Sequence, residues 1–222
     1  MFKKVLAMLS LVVVCLGVAG CGKTIQNYVE ENMSEITNEY YQAENDNIYA
    51  TLSVGTREKD YLYNGQSTES VNFMLLTLTF KNDMRDKVIH VQVKSGENTV
   101  SVEAELNNLS DAYMVDLVDT IVLGDTVEIV YENETLPLTK VSNDFQIDAQ
   151  KAITIACENL SEKLESCKSY NNFNAECYLR VLNQKQNNFN ELYWCFTCLN
   201  YEGESFSIII STVDGEILAQ TE

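Results

Sequence analysis

Between Ile48 and about Ser142 the apolar positions follow the pattern of β-strands. In Val88–Lys94, the apolar residues Ile89, Val91 and Val93 alternate with polar ones, as expected for a strand with one buried face. Turn signals such as Asn64-Gly65 separate most of these runs. The predicted strands are Ile48–Gly55, Phe73–Phe80, Val88–Lys94, Thr99–Glu105, Ala112–Leu117, Thr126–Glu132 and Thr135–Val141. About seven strands at this spacing predict an antiparallel β-sandwich of immunoglobulin-like size over residues 48–143.

From Asp144 onward the apolar period becomes helical. Asp148 is a suitable N-cap, and one apolar face follows it, made of Ile153, Ala156, Cys157, Leu160, Leu164 and Cys167. Strand-like runs then cover Glu176–Leu182, Leu192–Tyr201, Ser205–Thr212 and Glu216–Ala219. We therefore expect a one-helix plus antiparallel-sheet module over residues 144–222, and a chain that is mainly β with an α+β part.

Residues 21–47 are polar and acidic, yet they carry apolar side chains at helical spacing. The apolar set is Ile25, Tyr28, Val29, Met33, Ile36 and Tyr40. A stripe this narrow and short buries too little surface to fold alone. The pattern predicts a polar tether that is partly helical and holds the folded domains away from a membrane.

The first residues have the organisation of a secretion signal. Lys3 and Lys4 precede a run without charge from Val5, which ends in Val18-Ala19-Gly20-Cys21. This resembles the bacterial lipoprotein signal, which implies removal of residues 1–20 by cleavage between Gly20 and Cys21. The same resemblance implies a lipid on the sulfur of Cys21 and a location on the extracytoplasmic face of the cell membrane. The alternative is an uncleaved membrane-spanning anchor, because the run without charge is just long enough to cross a bilayer.

The charge of the chain restricts its partners. There are 33 acidic residues against 15 Lys and Arg, for a net charge of −18. Such a chain is repelled by nucleic acid and by an anionic membrane surface. The single His and the lack of phosphate-binding or nucleophile-elbow motifs favour a protein that is not an enzyme and needs no cofactor. We expect a binding or interaction module whose ligand is an envelope protein or peptide.

The last third of the chain carries a second resemblance. A helix, a strand with Trp194, a hairpin and the closing run Val213-Asp214-Gly215-Glu216-Ile217 occur in that order. This order is similar to the PepSY-type domain, a small helix-plus-sheet module of secreted and envelope proteins that is linked with binding or inhibiting peptidases. The resemblance implies a binding module and supplies no catalytic residue.

The cysteines give the alternative function. Trp194-Cys195-Phe196-Thr197-Cys198 has the letters of a thioredoxin redox motif, so a thiol-redox lipoprotein using Cys195 and Cys198 is the second hypothesis. In a strand, however, residues three apart point to opposite faces. The candidates for a redox or disulfide role are Cys157, Cys167, Cys177, Cys195 and Cys198. A zinc site would need a second closely spaced pair, so no metal site is predicted.

Three further groups of residues are candidate sites. His90 is assigned to the polar face of its predicted strand, where a solvent-facing side chain is expected. An acidic set resembles part of a calcium loop, but it lacks the alternating spacing and central Gly of such loops and is expected to form a solvated edge. That set is Asp111, Asp116, Asp119 and Asp125. Tyr61 and Tyr63 could present an aromatic contact face or pack beside a hairpin.

Overall fold

The computed structural model describes residues 23–59, 68–85, 87–117, 123, 126–132, 134–182, 184–187 and 189–221. The helices are α1 (Ile25–Glu31), α2 (Ala149–Asn159), α3 (Ser161–Ser166) and α4 (Gln184–Asn187), and a 3₁₀ turn covers Val141–Asp144. The longer strands are β1 (Met33–Glu44), β2 (Ile48–Glu58), β3 (Ser70–Phe80), β4 (Ile89–Ser95), β5 (Asn98–Asn107), β6 (Ala112–Asp116), β7 (Val127–Tyr131), β8 (Glu134–Lys140), β11 (Ala175–Leu182), β12 (Tyr193–Asn200) and β13 (Ser205–Ser211). The short strands are β9 (Lys168–Ser169), β10 (Asn172–Phe173) and β14 (Ile217–Gln220). None of the helices in these residues is both long and apolar enough to cross a membrane.

Eight strands close into an antiparallel barrel. They are hydrogen-bonded in the order β1, β2, β3, β6, β5, β4, β7 and β8, and β8 returns to β1 through Tyr41 opposite Lys140 and Gln42 opposite Thr139. Alternate side chains of these strands fill the interior, among them Leu52, Leu76 and Ile89, which are fully buried. The barrel is therefore held by a packed apolar core.

The prediction of a β-sandwich is wrong. The seven strands expected between residues 48 and 143 are found at their expected places as β2–β8, but β1 supplies an eighth strand that pairs with both β2 and β8. This pairing joins the two ends of the sheet. Alternation along a strand reports only which face is buried, so it is the same in a sandwich and in a closed barrel.

The tether expected over residues 21–47 is also wrong for Met33–Glu44, which form β1. Two irregularities in β1 explain the helical spacing of its apolar residues. The register shifts between Met33 and Glu35 against β11, and between Thr37 and Glu39 against β2. Each bulge adds a residue and changes the phase of the alternation, so the buried residues no longer recur at every second position.

Before β1, the helical pattern does form a helix. Thr24 caps α1 through a hydrogen bond from the backbone N–H of Asn27, whose side chain in turn accepts the N–H of Thr24. Tyr28 and Val29 are buried against the rest of the fold. Because α1 has seven residues, packing against the fold is what stabilises it.

The strands after residue 144 continue the sheet of the barrel. The first half of β1 pairs in parallel with β11, and β12, β13 and β14 follow in antiparallel order. We call these four strands the sheet extension. The prediction of a separate helix-plus-sheet module is therefore wrong, because β1 belongs to the barrel and to the extension at the same time.

The helices cover one face of the sheet extension. Trp194, Phe196 and Ile208 lie in one core with Ile153 of α2 and Leu164 of α3. The single helix expected here is two helices, because α2 ends before Leu160 and α3 begins at Ser161. The indole N–H of Trp194 donates to the carbonyl of Ile147 at 2.7 Å, so the one polar atom of that buried ring is satisfied.

β1 and β2 approach each other closely at Gly55. A Cβ atom at Gly55 would lie 1.9 Å from the carbonyl oxygen of Ile36. Only glycine fits there, next to the bulge of β1.

Candidate functional site

The bulge at the start of β1 directs two consecutive side chains to the same face of the sheet. Ser34 contacts Glu176 of β11, and Glu35 contacts Arg180 of β11. Glu176 and Arg180 share one face of their strand, since residues at even separation do so. Cys177 and Leu179 point the other way, into the core under the helices. The bulge thus places polar groups on the face of the sheet that the helices do not cover. We call this the open face.

Two carboxylates flank the Ser34 hydroxyl. Ser34 Oγ lies 3.0 Å from Oε1 of Glu58, at the end of β2, and 3.5 Å from Oε2 of Glu176. A hydroxyl has one proton, so it donates to one of the two at a time. Both carboxylates are withdrawn from solvent, with Glu176 0% and Glu58 1% exposed.

The hydrogen bonding of this pair is incomplete. Glu58 also accepts the backbone N–H of Thr68 at 2.6 Å. Oε1 of Glu176, in contrast, is buried and has no hydrogen-bond partner among the described residues. Burial raises the pKa of Glu58, the bonds from Thr68 and Ser34 oppose this, and the charge of Glu176 adds to it. Glu58 therefore retains its proton more readily than an exposed glutamate does.

Next to the pair lies an ion pair that joins β1 to β11. Nε and Nη2 of Arg180 donate to the two oxygens of Glu35 at 2.8 and 2.9 Å. Glu35 is buried, and the Arg180 guanidinium also lies 5.1 Å from the centroid of the Tyr178 ring. The two-pronged geometry stabilises the parallel junction between the barrel and the extension.

In the described part of the chain, no group of three or more His, Cys, Asp and Glu side chains is arranged to hold a metal ion. Sequence reasoning missed Ser34, Glu35, Glu58, Glu176 and Arg180 as a group. Glu176 and Arg180 lie more than 140 residues after Ser34 and Glu35 in the chain, and no spacing motif connects the group.

The cysteines of the WCFTC segment lie on opposite faces of β12. Cys195 is opposite Arg180 on the open face and is half-buried, while Cys198 is opposite Cys177 in the core. All the described cysteines, Cys157, Cys167, Cys177, Cys195 and Cys198, are free thiols. The arrangement separates the two thiols that the redox hypothesis would pair.

The pKa values of Cys157, Cys167 and Cys195 are raised. Burial raises the pKa of Cys157 to about 12. A hydrogen bond to Cys198, together with burial, raises the pKa of Cys167. Burial also raises the pKa of Cys195, opposed by Thr197 and by the charge of Arg180. High pKa values keep these groups as thiols, the less reactive form.

The remaining predicted residues are dispersed. His90 is exposed on β4, opposite Glu103. Asp111 is in the turn before β6, and Asp116 pairs with Arg57. Gly20, Cys21, Tyr61, Tyr63, Asp119 and Asp125 lie outside the described residues.

The outer edge of the sheet extension is open. β14 is the last strand in the order and, among the described strands, pairs with β13 only. Ile217 and Leu218 are 40% and 50% exposed. The N–H of Thr221 donates to the carbonyl of Ser207, so by the alternation of antiparallel pairing the N–H of Gln220 points away from β13. This edge can accept a further strand.

Comparison of the chain with protein-family models, with curated proteins and with solved structures finds no match.

Proposed function

We propose that the protein is a membrane-anchored extracytoplasmic lipoprotein that acts as a non-enzymatic binding module. The anchor is the lipid on Cys21, supported by the Val18-Ala19-Gly20-Cys21 sequence after a basic and apolar start.

The open edge of β14 carries the binding part of the proposal. A strand with exposed Ile217 and Leu218 and an outward N–H at Gln220 can add an extended peptide by main-chain hydrogen bonds. The negative charge of the chain favours a basic peptide. Asp214 and Glu216 precede the strand in a protein with a net charge of −18, so the ligand is an extended segment of an envelope protein that carries Lys or Arg.

The binding test uses a fluorescent peptide of alternating Lys and Val, with a Glu and Val peptide as the charge control. Gln220→Pro removes the outward N–H and leaves the bonds to β13, since Pro is tolerated at strand edges. Gln220→Ala is the matched control. We expect the Lys peptide to bind the native chain, the Glu peptide to bind at least tenfold more weakly, and Gln220→Pro alone to lose binding.

Equal peptide binding by Gln220→Pro and Gln220→Ala would rule out the edge as the site. A native dimer that Gln220→Pro dissociates would instead identify a second copy of the chain as the occupant and overturn the peptide assignment.

The anchor has a separate test. Cys21→Ala should abolish labelling of the chain by radioactive fatty acid and release it from the membrane fraction, because the sulfur that carries the lipid is gone. Unchanged labelling in this variant would refute the assignment.

A further inference from the structure

The first helix of the described residues begins very close to Cys21 in the sequence. Thr24 caps α1, so only Gly22 and Lys23 separate the cap from Cys21. Three residues of extended chain span roughly 10 Å at most. A lipid on Cys21 would therefore hold the start of α1 against the bilayer surface, without the long tether that the composition predicts.

The surface around the start of α1 is built from three elements. A cleft of about 470 Å³ is lined by Lys23 and Tyr28 of the α1 region, by Asn171 and Asn174 of the β9–β10 hairpin region, and by Tyr201 of the β12–β13 turn. Backbone hydrogen bonds of 2.9 Å run from Tyr201 N to Asn174 O and from Asn174 N to Cys167 O. The rings of Tyr28 and Phe173 stack with their centroids 6.2 Å apart, which joins α1 to the hairpin. The three elements thus form one continuous surface.

Two tyrosines of this surface stand out into solvent. Tyr170, at the tip of the β9–β10 hairpin, is 99% exposed, and Tyr201 is 65% exposed. Tyr170 has a φ of 55°, a left-handed turn conformation that is uncommon for an aromatic residue. Tyrosine has an apolar ring and a polar hydroxyl, and it is enriched where membranes meet water.

Two lysines of this surface are paired with carboxylates, whereas Glu202 and Glu204 of the β12–β13 turn are exposed. Lys23 pairs with Glu31 at 2.6 Å and Lys168 pairs with Glu165 at 2.9 Å. Both ammonium groups also lie over the Tyr28 ring, 5.6 and 5.0 Å from its centroid. Pairing reduces the repulsion that unpaired carboxylates would feel at an anionic membrane.

We infer that this surface, made of Lys23, Tyr28, Tyr170, Asn171 and Tyr201, faces the bilayer and that Tyr170 and Tyr201 enter its headgroup region. The inference rests on the lipid anchor of the proposed function and goes further by giving the orientation of the bound protein. The start of β1, next to α1, then lies toward the membrane, and its end near Glu44 projects away from it.

A matched control position for Tyr170 lies at the far end of β1. Leu109, between β5 and β6, is also 99% exposed. Its turn lies beyond the late part of β1, because the register runs from Ala43 to Ala50, to Leu78 and to Tyr113 across neighbouring strands. β1 has 12 residues, so the two ends of this strand are separated by roughly 40 Å.

The test compares Tyr170→Trp with Leu109→Trp in the full chain, lipidated by a bacterial host. The proteins are reconstituted into phosphatidylglycerol and phosphatidylcholine vesicles with brominated acyl chains. The native Trp194 also fluoresces, but it is buried. Its emission is measured in the unsubstituted protein and subtracted from that of each variant. We expect quenching at position 170 to be at least threefold stronger than at position 109, together with a blue shift of the emission at 170 only.

Equal quenching at positions 170 and 109 in a chain that mass spectrometry finds lipidated would overturn the orientation and leave the anchor intact. A chain that carries no lipid would overturn both, since nothing would then hold this surface at the bilayer.

Discussion

The carboxylates of Glu58 and Glu176 lie on either side of one hydroxyl group, Ser34 Oγ, at 3.0 and 3.5 Å. Within the described residues neither carboxylate belongs to an ion pair. Two buried acids without a cation are unfavourable when both are ionised. This relationship makes the junction of β2, β1 and β11 sensitive to pH.

The free energy of unfolding should therefore depend on the charge of the pair. The pKa of Glu58 is raised in the folded state, so its stabilising contribution is complete below the unfolded value near 4.5 and is lost as the pH rises through the folded pKa. Glu176→Gln removes the neighbouring charge and should stabilise the protein by about 1 kcal/mol at pH 8. At pH 4.5 it should have little effect.

Urea unfolding at both pH values in about 0.5 M salt, which screens surface charges, measures this difference. Glu103→Gln is the control, because it removes one negative charge from an exposed position on β5. An equal response of the two variants would show that only net charge matters.

The ion pair between Glu35 and Arg180 should be important for stability. Arg180→Met leaves the buried Glu35 without its bidentate partner, which should lower the free energy of unfolding by about 2 kcal/mol. Arg85→Met is the control, because Arg85 and its partner Asp83 are both exposed and such pairs contribute about 0–1 kcal/mol. Equal losses in urea unfolding would contradict the assigned role of Glu35.

Gly55 should tolerate no side chain. A Cβ atom there meets the Ile36 carbonyl oxygen at 1.9 Å, so Gly55→Ala must separate β1 from β2 and should lower the free energy of unfolding by about 3 kcal/mol. Gly96→Ala meets no atom within 4 Å and suffers only from its φ of +57°, so it should lose about 1 kcal/mol. Thermal unfolding that ranks the two variants the other way would contradict the close approach.

The thiols should differ in reactivity. Cys195 is half-buried on the open face, whereas Cys157, Cys167, Cys177 and Cys198 are buried. We expect iodoacetamide to modify Cys195 first in the native protein and the other four only after unfolding in guanidinium, as measured by mass spectrometry. Native modification of Cys198 at the rate of Cys195 would be inconsistent with its position in the core and would favour the redox hypothesis.

Most of the individual elements could be predicted from the sequence. Strands β2–β8 follow from alternation, and α2 follows from Asp148 and the apolar face behind it, because burial of one face imposes a period on each element. β1 could not be recognised, since its two bulges change that period. The sequence pattern also predicts β14 as a strand. Its position at the edge of the sheet could not be predicted, because that depends on which strands pair with each other.

The candidate site could not be predicted at all. Glu58, Ser34 and Glu176 come from three strands that meet only when β1 lies between β2 and β11, and before that contact each is an ordinary polar residue of a strand. The local pattern of apolar and polar residues therefore decided where most of the strands and helices lie. Tertiary structure decided that the sheet closes into a barrel, that β11–β14 extend it from β1, and that two carboxylates are buried where β1 meets β2 and β11. These features depend on pairing between residues far apart in the chain.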